Sequence, residues 1–357
     1  MRRRLAVVLT VLGLLLISGA GVVRWVLGPA MSKLPGNTHT TRLYSGQAVS
    51  FINPTYATDV PSGPGVLHNV PIAVRHTTKV LDTTANNALV SDKRVITLAG
   101  NVAADLDYRY SVDRKSFQAT AAFPGVVDAR GLTFNWPMNA KPHDYVGWVQ
   151  DTLMTTPLHY VGTVRHGGIT TYEYTAQAGD AVISDPVLSR MLPAKMSKAD
   201  MLKLTPSLGL TQKQLLALNE VMTKAPDPVP LAYTYRFSST FWIAPDSGLV
   251  VDMRQHDIRT TNIVSDTGLV PVAPIMDMTY AYTPSAVNGA VDDAKAAVKQ
   301  LDLVNNTLPL ASLILGIAVL VAGVVMLSVP RGRHPQAPEE VEGPWVEDLL
   351  QHHEVIK

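Results

Sequence analysis

Leu231-Ala232-Tyr233-Thr234-Tyr235-Arg236-Phe237-Ser238-Ser239-Thr240-Phe241-Trp242-Ile243 alternates with a period of two. Leu231, Tyr233, Tyr235, Phe237, Phe241 and Ile243 fall on one side of an extended chain, and Ala232, Thr234, Arg236, Ser238 and Thr240 on the other. Successive side chains of a strand point to opposite faces, so the pattern predicts a long, half-buried strand. Pro245-Asp246-Ser247-Gly248 supplies a turn, and residues 249–259 return as the partner strand. The segment predicts an antiparallel hairpin.

Upstream, residues 43–183 are rich in Val, Thr and Tyr in short alternating runs. Turn signals interrupt them at Pro61-Ser62-Gly63-Pro64-Gly65, Ala99-Gly100-Asn101, Phe123-Pro124-Gly125 and His166-Gly167-Gly168. Residues 70–76 and 94–98 are further strands, and the spacing predicts an antiparallel barrel or sandwich. Between the two β regions, residues 185–225 read as a helical lobe, with Thr211 as a helix N-cap and Leu215, Leu218 and Met222 at helical spacing. Met191, Leu192, Met196, Met201 and Leu208 form either the lobe's own core or a greasy docking surface. Residues 285–306 predict a membrane-proximal helix through Val287, Val291, Ala294, Val298 and Leu301, with a weak point at Asn305-Asn306-Thr307-Leu308-Pro309. The fold class expected is therefore α+β, mainly antiparallel β with an inserted helical lobe.

Two apolar runs flank this body. Residues 5–23, extending to 27, follow Arg2-Arg3-Arg4, and residues 308–329 precede Arg331 and Arg333. Each matches the roughly 20 residues that a helix needs to cross a bilayer core. Basic residues on the terminal side of both spans place residues 1–4 and 331–357 in the cytoplasm and residues 30–307 outside it. The first run also resembles a cleavable secretory signal, with Ser18-Gly19-Ala20 as the small residues. Its apolar continuation to Leu27 and an interfacial Arg24-Trp25 favour an uncleaved anchor. Gly316 and Gly323, seven apart beside Ala311, Ala318 and Ala322, offer a face for helix packing, although small residues are common in such spans. The acidic, Pro-containing tail 331–357 is expected to be solvated, with residues 345–356 as a short amphipathic helix.

Composition excludes several functions. The 357 residues contain no cysteine, which removes disulfides, Cys-based metal sites and thiol nucleophiles. Between residues 30 and 307, basic and acidic side chains balance at about 23 each, so no broad basic field draws nucleic acid. The acidic residues there are Asp apart from Glu173 and Glu220, a skew towards turns and loops. His39, His68, His76, His143, His159, His166 and His256 form no metal-ligand spacing. Asp105, Asp107 and Asp113 lack the rest of a calcium loop, and alternation along a strand accounts for the first two. There is no G-x-S-x-G, S-x-x-K, P-loop or G-x-G-x-x-G motif. Asp82, Asp92, Asp128 and Asp144 carry no catalytic signal beyond that of any secreted domain. No catalytic, cofactor or metal residue is expected, and the chain reads as a non-enzyme.

Phe134-Asn135-Trp136-Pro137, Tyr145-Val146-Gly147-Trp148, Tyr160-Val161-Gly162-Thr163, Gly168-Ile169-Thr170-Thr171-Tyr172 and Trp242 through Val251 occur in that order, after Leu106-Asp107-Tyr108-Arg109-Tyr110-Ser111-Val112-Asp113-Arg114. In this the chain resembles the actinobacterial DUF3068 family, also labelled the PorA family, over nearly the whole body and both spans. Gly147 and Gln150 depart from the family's acidic-aromatic pattern around Trp148, so no site is assigned there. The resemblance implies an envelope protein that handles lipid or lipoglycan. The two-span handle is also similar in architecture to the CD36 scavenger receptors. A transmembrane barrel needs a lipid-facing apolar band on its strands and does not also carry two apolar helices, so the word porin fits this composition poorly. The expected function is lipid or lipoglycan binding or transfer. The alternatives are an assembly or sensing scaffold with homo-oligomeric or envelope partners, and an oligomeric pore.

Overall fold

The computed structural model describes residues 2–53 and 63–328. The turn expected at Pro61-Ser62 and the tail 331–357 lie outside the described residues. Contacts divide the chain into two units, the terminal helices on one hand and Arg24–Thr307 on the other.

In the first unit, α1 (Arg2–Val22) and α7 (Leu308–Ser328) pack along each other. Both are long and apolar enough to cross a membrane. The small-residue face of α7 is the one that meets α1. A Cβ at Gly316 would lie 2.9 Å from Ile17 Cγ1, and one at Gly323 2.6 Å from Thr10 Oγ1. From the other side, a Cβ at Gly13 would lie 2.6 Å from the Leu320 nitrogen. Glycine at these points lets the two backbones approach more closely than side chains would allow.

The second unit is a curled antiparallel half-barrel. Its strands are β1 (His39–Ile52), β2 (Val66–Thr83), β3 (Asn87–Leu98), β4 (Asn101–Asp113), β5 (Ala119–Thr120), β6 (Tyr145–Val149), β7 (Met154–His166), β8 (Ile169–Val182), β9 (Lys195–Met196), β10 (Val229–Ile243), β11 (Val250–Ser265) and β12 (Gly268–Tyr282). The order across the sheet is β5-β4-β3-β2-β1-β12-β11-β10-β8-β7-β6, with β9 beside the start of β10. The curl brings the edge strands β5 and β6 near each other, and Leu132 links them. Ala119 N donates to Gly131 O at 2.9 Å, Leu132 N to Val146 O at 2.8 Å, and Trp148 N to Leu132 O at 2.8 Å. Gly131 has φ +75°, and a Cβ there would sit 2.5 Å from Val146 O, so the link requires glycine.

The expected hairpin is β10 with β11, paired from Leu231 with Ile263 to Trp242 with Asp252. The expected inward face of β10 holds along the whole strand, with Phe241 packed against the core and Ile243 wholly buried in it, and on the opposite face Trp242 is buried as well. That face is covered by α6 (Pro284–Asp302), whose Ala290, Val291 and Ala294 pack against Trp242, Ala244 and Val251. Short alanines let the helix lie close to the sheet.

The helical lobe comprises α3 (Pro186–Met191), α4 (Lys198–Leu204) and α5 (Gln212–Lys224). Thr211 caps α5 in a reciprocal box with Gln214. Leu188, Met201, Leu218 and Met222 join the main core, and Leu192, Met196 and Leu208 pack against it. The Met/Leu stripe is thus core, apart from Met191, which is exposed.

α6 does not break at Asn305-Pro309. It continues through a π-helical turn (Leu303–Thr307), and a second π turn (Val23–Leu27) follows the first span. Pro309 has no N–H to offer the carbonyl four residues earlier, that of Asn305. Arg24 supplies the missing donor: its Nη1 donates to Asn305 O and reaches Asn306 Oδ1 at 3.3 Å.

Candidate functional site

Alternation along the curled strands turns one face of each inwards. These faces line a partly open cavity of about 590 Å³. Apolar side chains fill the space on both sides of it. One cluster gathers Ile72, Val74, Ile96, Leu98, Met276 and Met278, and the larger one holds the lobe residues with Val90, Val112, Leu158 and Ile263. The cavity lies where charged residues take inward positions in otherwise apolar strands.

On β3, Asp92 and Arg94 share the inward parity of Val90 and Ile96. Asp92 is almost wholly buried, with 1% of its side chain exposed. Its Oδ1 accepts from His76 Nε2 at 2.8 Å and from Arg94 Nε at 3.2 Å, and its Oδ2 accepts from Arg94 Nη2 at 3.3 Å. His76 Nδ1 lies 3.1 Å from the Tyr44 hydroxyl, which extends the chain of contacts to β1. Burial by itself would raise the Asp92 pKa, but the adjacent Arg94 guanidinium and then His76 hold it well below the usual carboxylate range. Asp92 in turn keeps Arg94 firmly cationic.

Two further groups complete the polar layer. Arg259 on β11 binds Asp151 at 2.7 Å and lies over the Tyr235 ring at 5.8 Å. Asp257, two residues earlier, accepts from the Tyr235 hydroxyl at 2.7 Å, Gln255 Nε2 at 2.7 Å and the Tyr280 hydroxyl at 2.8 Å. Burial pushes its carboxyl up, and the three donors only partly reverse this. Gln150 Oε1 accepts from both Trp148 Nε1 at 2.9 Å and the Tyr110 hydroxyl at 3.0 Å. At the α6 side of the wall, Arg42 pairs with Asp293 at 2.6 Å.

The rest of the lining combines apolar and aromatic side chains, Trp136, Trp148, Leu158, Phe237 and Phe241 among them, with threonines and other neutral polar residues such as Thr40, Thr78, Thr133 and Ser239. Trp136 sits in the segment that locks onto the β10–β11 turn. Trp136 N donates to Gly248 O at 3.1 Å, and Ala140 N to Pro245 O at 2.9 Å. Gly248 has φ +71°, and a Cβ on it would lie 2.1 Å from Trp136 O. The Phe134–Pro137 and Trp242–Val251 motifs therefore build one corner of the cavity wall together. Three polar atoms of lining residues have no hydrogen-bond partner among the described residues: Thr133 Oγ1, Trp136 Nε1 and Ser239 Oγ.

Of the aspartates singled out from sequence, only Asp92 belongs to this layer. Asp144 is exposed and binds His159 and the Tyr160 nitrogen, and Asp82 caps the Thr83 nitrogen at the surface. Asp105 and Asp107 point outwards from β4 to Lys93 and Ser91, as alternation along a strand requires. No group of three or more His, Asp or Glu among the described residues is placed to hold a metal. Sequence reasoning passed over Arg94, Asp151, Asp257 and Arg259. The available signal was the inward parity of Asp92 and Arg94 within an apolar strand.

A family model described as Porin PorA matches residues 5–325. No curated protein matches the chain. Two solved structures are similar to it in part. The acyl-CoA thioesterase II TesB2 from Mycobacterium marinum is 12% identical, over 69% of this chain and 81% of that one, with a TM-score of 0.12. A hot-dog-fold protein of unknown function from Alicyclobacillus acidocaldarius is 10% identical, over 71% and 81%, also at 0.12. Overlaps this loose carry no conclusion about fold or activity.

Proposed function

From the premise that the chain belongs to the Porin PorA family, we propose that it is a non-enzymatic, membrane-anchored envelope protein whose β body binds lipid or lipoglycan in its central cavity. The carrying observation is the cavity itself. Its volume of about 590 Å³ lies within the roughly 300–1,000 Å³ typical of ligand pockets. Its wall mixes aromatic and aliphatic side chains with many polar and charged ones, a combination that can take both ends of an amphiphile.

The outer face of the sheet supports a body that sits in water. Arg75 and Lys79 on β2, with Asp105, Asp107 and Arg109 on β4, are exposed at mid-strand. A barrel embedded in lipid would present an apolar band about 25 Å tall at such positions. The two apolar helices then serve as anchors, with the β body on the extracytoplasmic side and both termini in the cytoplasm.

The test is to purify the full chain in a neutral detergent and identify what remains bound by native mass spectrometry and lipid extraction. Ala176 lines the cavity and is 3% exposed. Ala176→Trp should fill the space and strip the bound amphiphile. Recovery of the native protein free of any amphiphile, with no binding on adding lipid, would refute the reading.

A further inference from the structure

We propose that the cavity selects amphiphiles with an anionic headgroup, a carboxylate or a phosphate, and that Arg94 receives that headgroup. This rests on the ligand-binding reading above and adds the chemistry of the ligand.

The layer is asymmetric in what it leaves open. Arg94 lines the cavity, and 42% of its side-chain surface is exposed, against 1% for its partner Asp92. The anion stands behind and the cation in front. Arg94 spends Nε and Nη2 on Asp92 at the long distances of 3.2 and 3.3 Å, while Nη1 has no partner among the described residues. A planar guanidinium with a free edge fits a carboxylate or phosphate oxygen.

The acidic groups of the same layer do not compete for that role. Asp92 is occupied by His76 and Arg94. Asp151 is taken by Arg259, and Asp257 is saturated by three donors. The unfilled capacity is therefore weighted towards donors. Trp136 Nε1 extends the same bias: its residue is 3% exposed, the atom has no partner, and an indole N–H can only donate. A ligand completing this wall must bring acceptors. The aromatic and aliphatic remainder of the wall suits an alkyl chain, which makes the acceptor group the head of an amphiphile.

The probes are hexadecanoate, hexadecan-1-ol and inorganic phosphate, each titrated into the detergent-solubilised full chain and followed by intrinsic tryptophan fluorescence. Hexadecanoate should bind roughly ten- to a hundredfold more tightly than the alcohol, the ratio expected for one charge-assisted hydrogen bond. Phosphate alone should give no saturable signal in the same range. Removing Arg94 singly would leave the buried Asp92 with His76 alone and without its guanidinium partner, so the variant is the double change Asp92→Asn with Arg94→Gln, checked for fold by circular dichroism. In it, the preference for carboxylate should collapse to near parity while alcohol binding stays unchanged. Equal binding of acid and alcohol by the native protein overturns the headgroup assignment and leaves the lipid reading standing. Failure of both long-chain probes overturns the lipid reading. Phosphate binding as tightly as hexadecanoate means a site for a free anion, and a carboxylate preference that survives the double variant removes Arg94 from the role.

Discussion

Replacing Asp92 tests whether the polar layer inside the sheet is held by the charge relations drawn from its geometry. Asp92→Ala removes three hydrogen bonds, at 2.8, 3.2 and 3.3 Å, and leaves His76 and Arg94 facing an empty site. Breaking a fully buried ion pair costs about 3–5 kcal/mol. Arg94 keeps 42% of its side-chain surface exposed, so the released guanidinium is partly solvated. The lower end applies, about 3 kcal/mol. At about 2 °C per kcal/mol for a large domain, the melting temperature should fall by about 6 °C. The dependence on pH supplies a second, independent readout. The native Asp92 carboxyl titrates below the ordinary value of about 3.9, so the folded state resists protonating it. Its contribution is therefore full above the ordinary carboxylate range and is lost progressively as the pH falls from there towards the lowered folded value. Asp92→Asn cannot titrate, so the stability gap between native protein and this variant should narrow from pH 7 to pH 3. Differential scanning fluorimetry on the detergent-solubilised full chain measures both effects. A gap that stays constant or widens on acidification, or an Asp92→Ala variant that melts with the native protein, would refute the reasoning.

Asp257 should behave with the opposite sign. Its pKa is raised, so its contribution is full below the ordinary carboxylate range and is lost as pH rises through the raised value. Between pH 4 and 7 the stability of Asp257→Asn should gain on that of the native protein, and the same melting series checks it. Gly248→Ala forces a left-handed residue at about 1–2 kcal/mol and sets a Cβ against Trp136 O, so a loss above about 2 kcal/mol is expected in urea unfolding, with a shift in tryptophan emission. Unchanged stability would mean that the Phe134–Pro137 segment does not depend on the β10–β11 turn. Gly316→Ile places bulk against Ile17, so deuterium uptake in residues 308–328 should rise, and uptake equal to native would argue against the close helix pair.

Legibility from sequence followed the range of the interaction concerned. Leu231 through Phe237 announced their strand because a strand's two faces are set by local alternation, and Thr211 announced its helix because a cap acts within one turn. The two apolar spans were legible for a similar reason, since length and lack of charge are properties of the segment itself. The same local logic is silent on the burial of Trp242, because the helix that covers it lies more than forty residues further along the chain. The choice between barrel and sandwich was likewise beyond alternation, since both present the same inward face.

The charged layer belonged to tertiary structure alone. Asp151 and Arg259 are 108 positions apart, so no spacing rule joins them. Asp92 and Arg94 at inward positions were visible in the sequence, but an inward charge has meaning only when the facing strands are known. By itself the sequence determined the elements, their faces and the two apolar helices, because those depend on neighbours within a few residues. Which inward groups meet, and whether the space between them is filled or hollow, was decided by strand register, by the curl of the sheet and by the link at Leu132, which arise from contacts between distant parts of the chain.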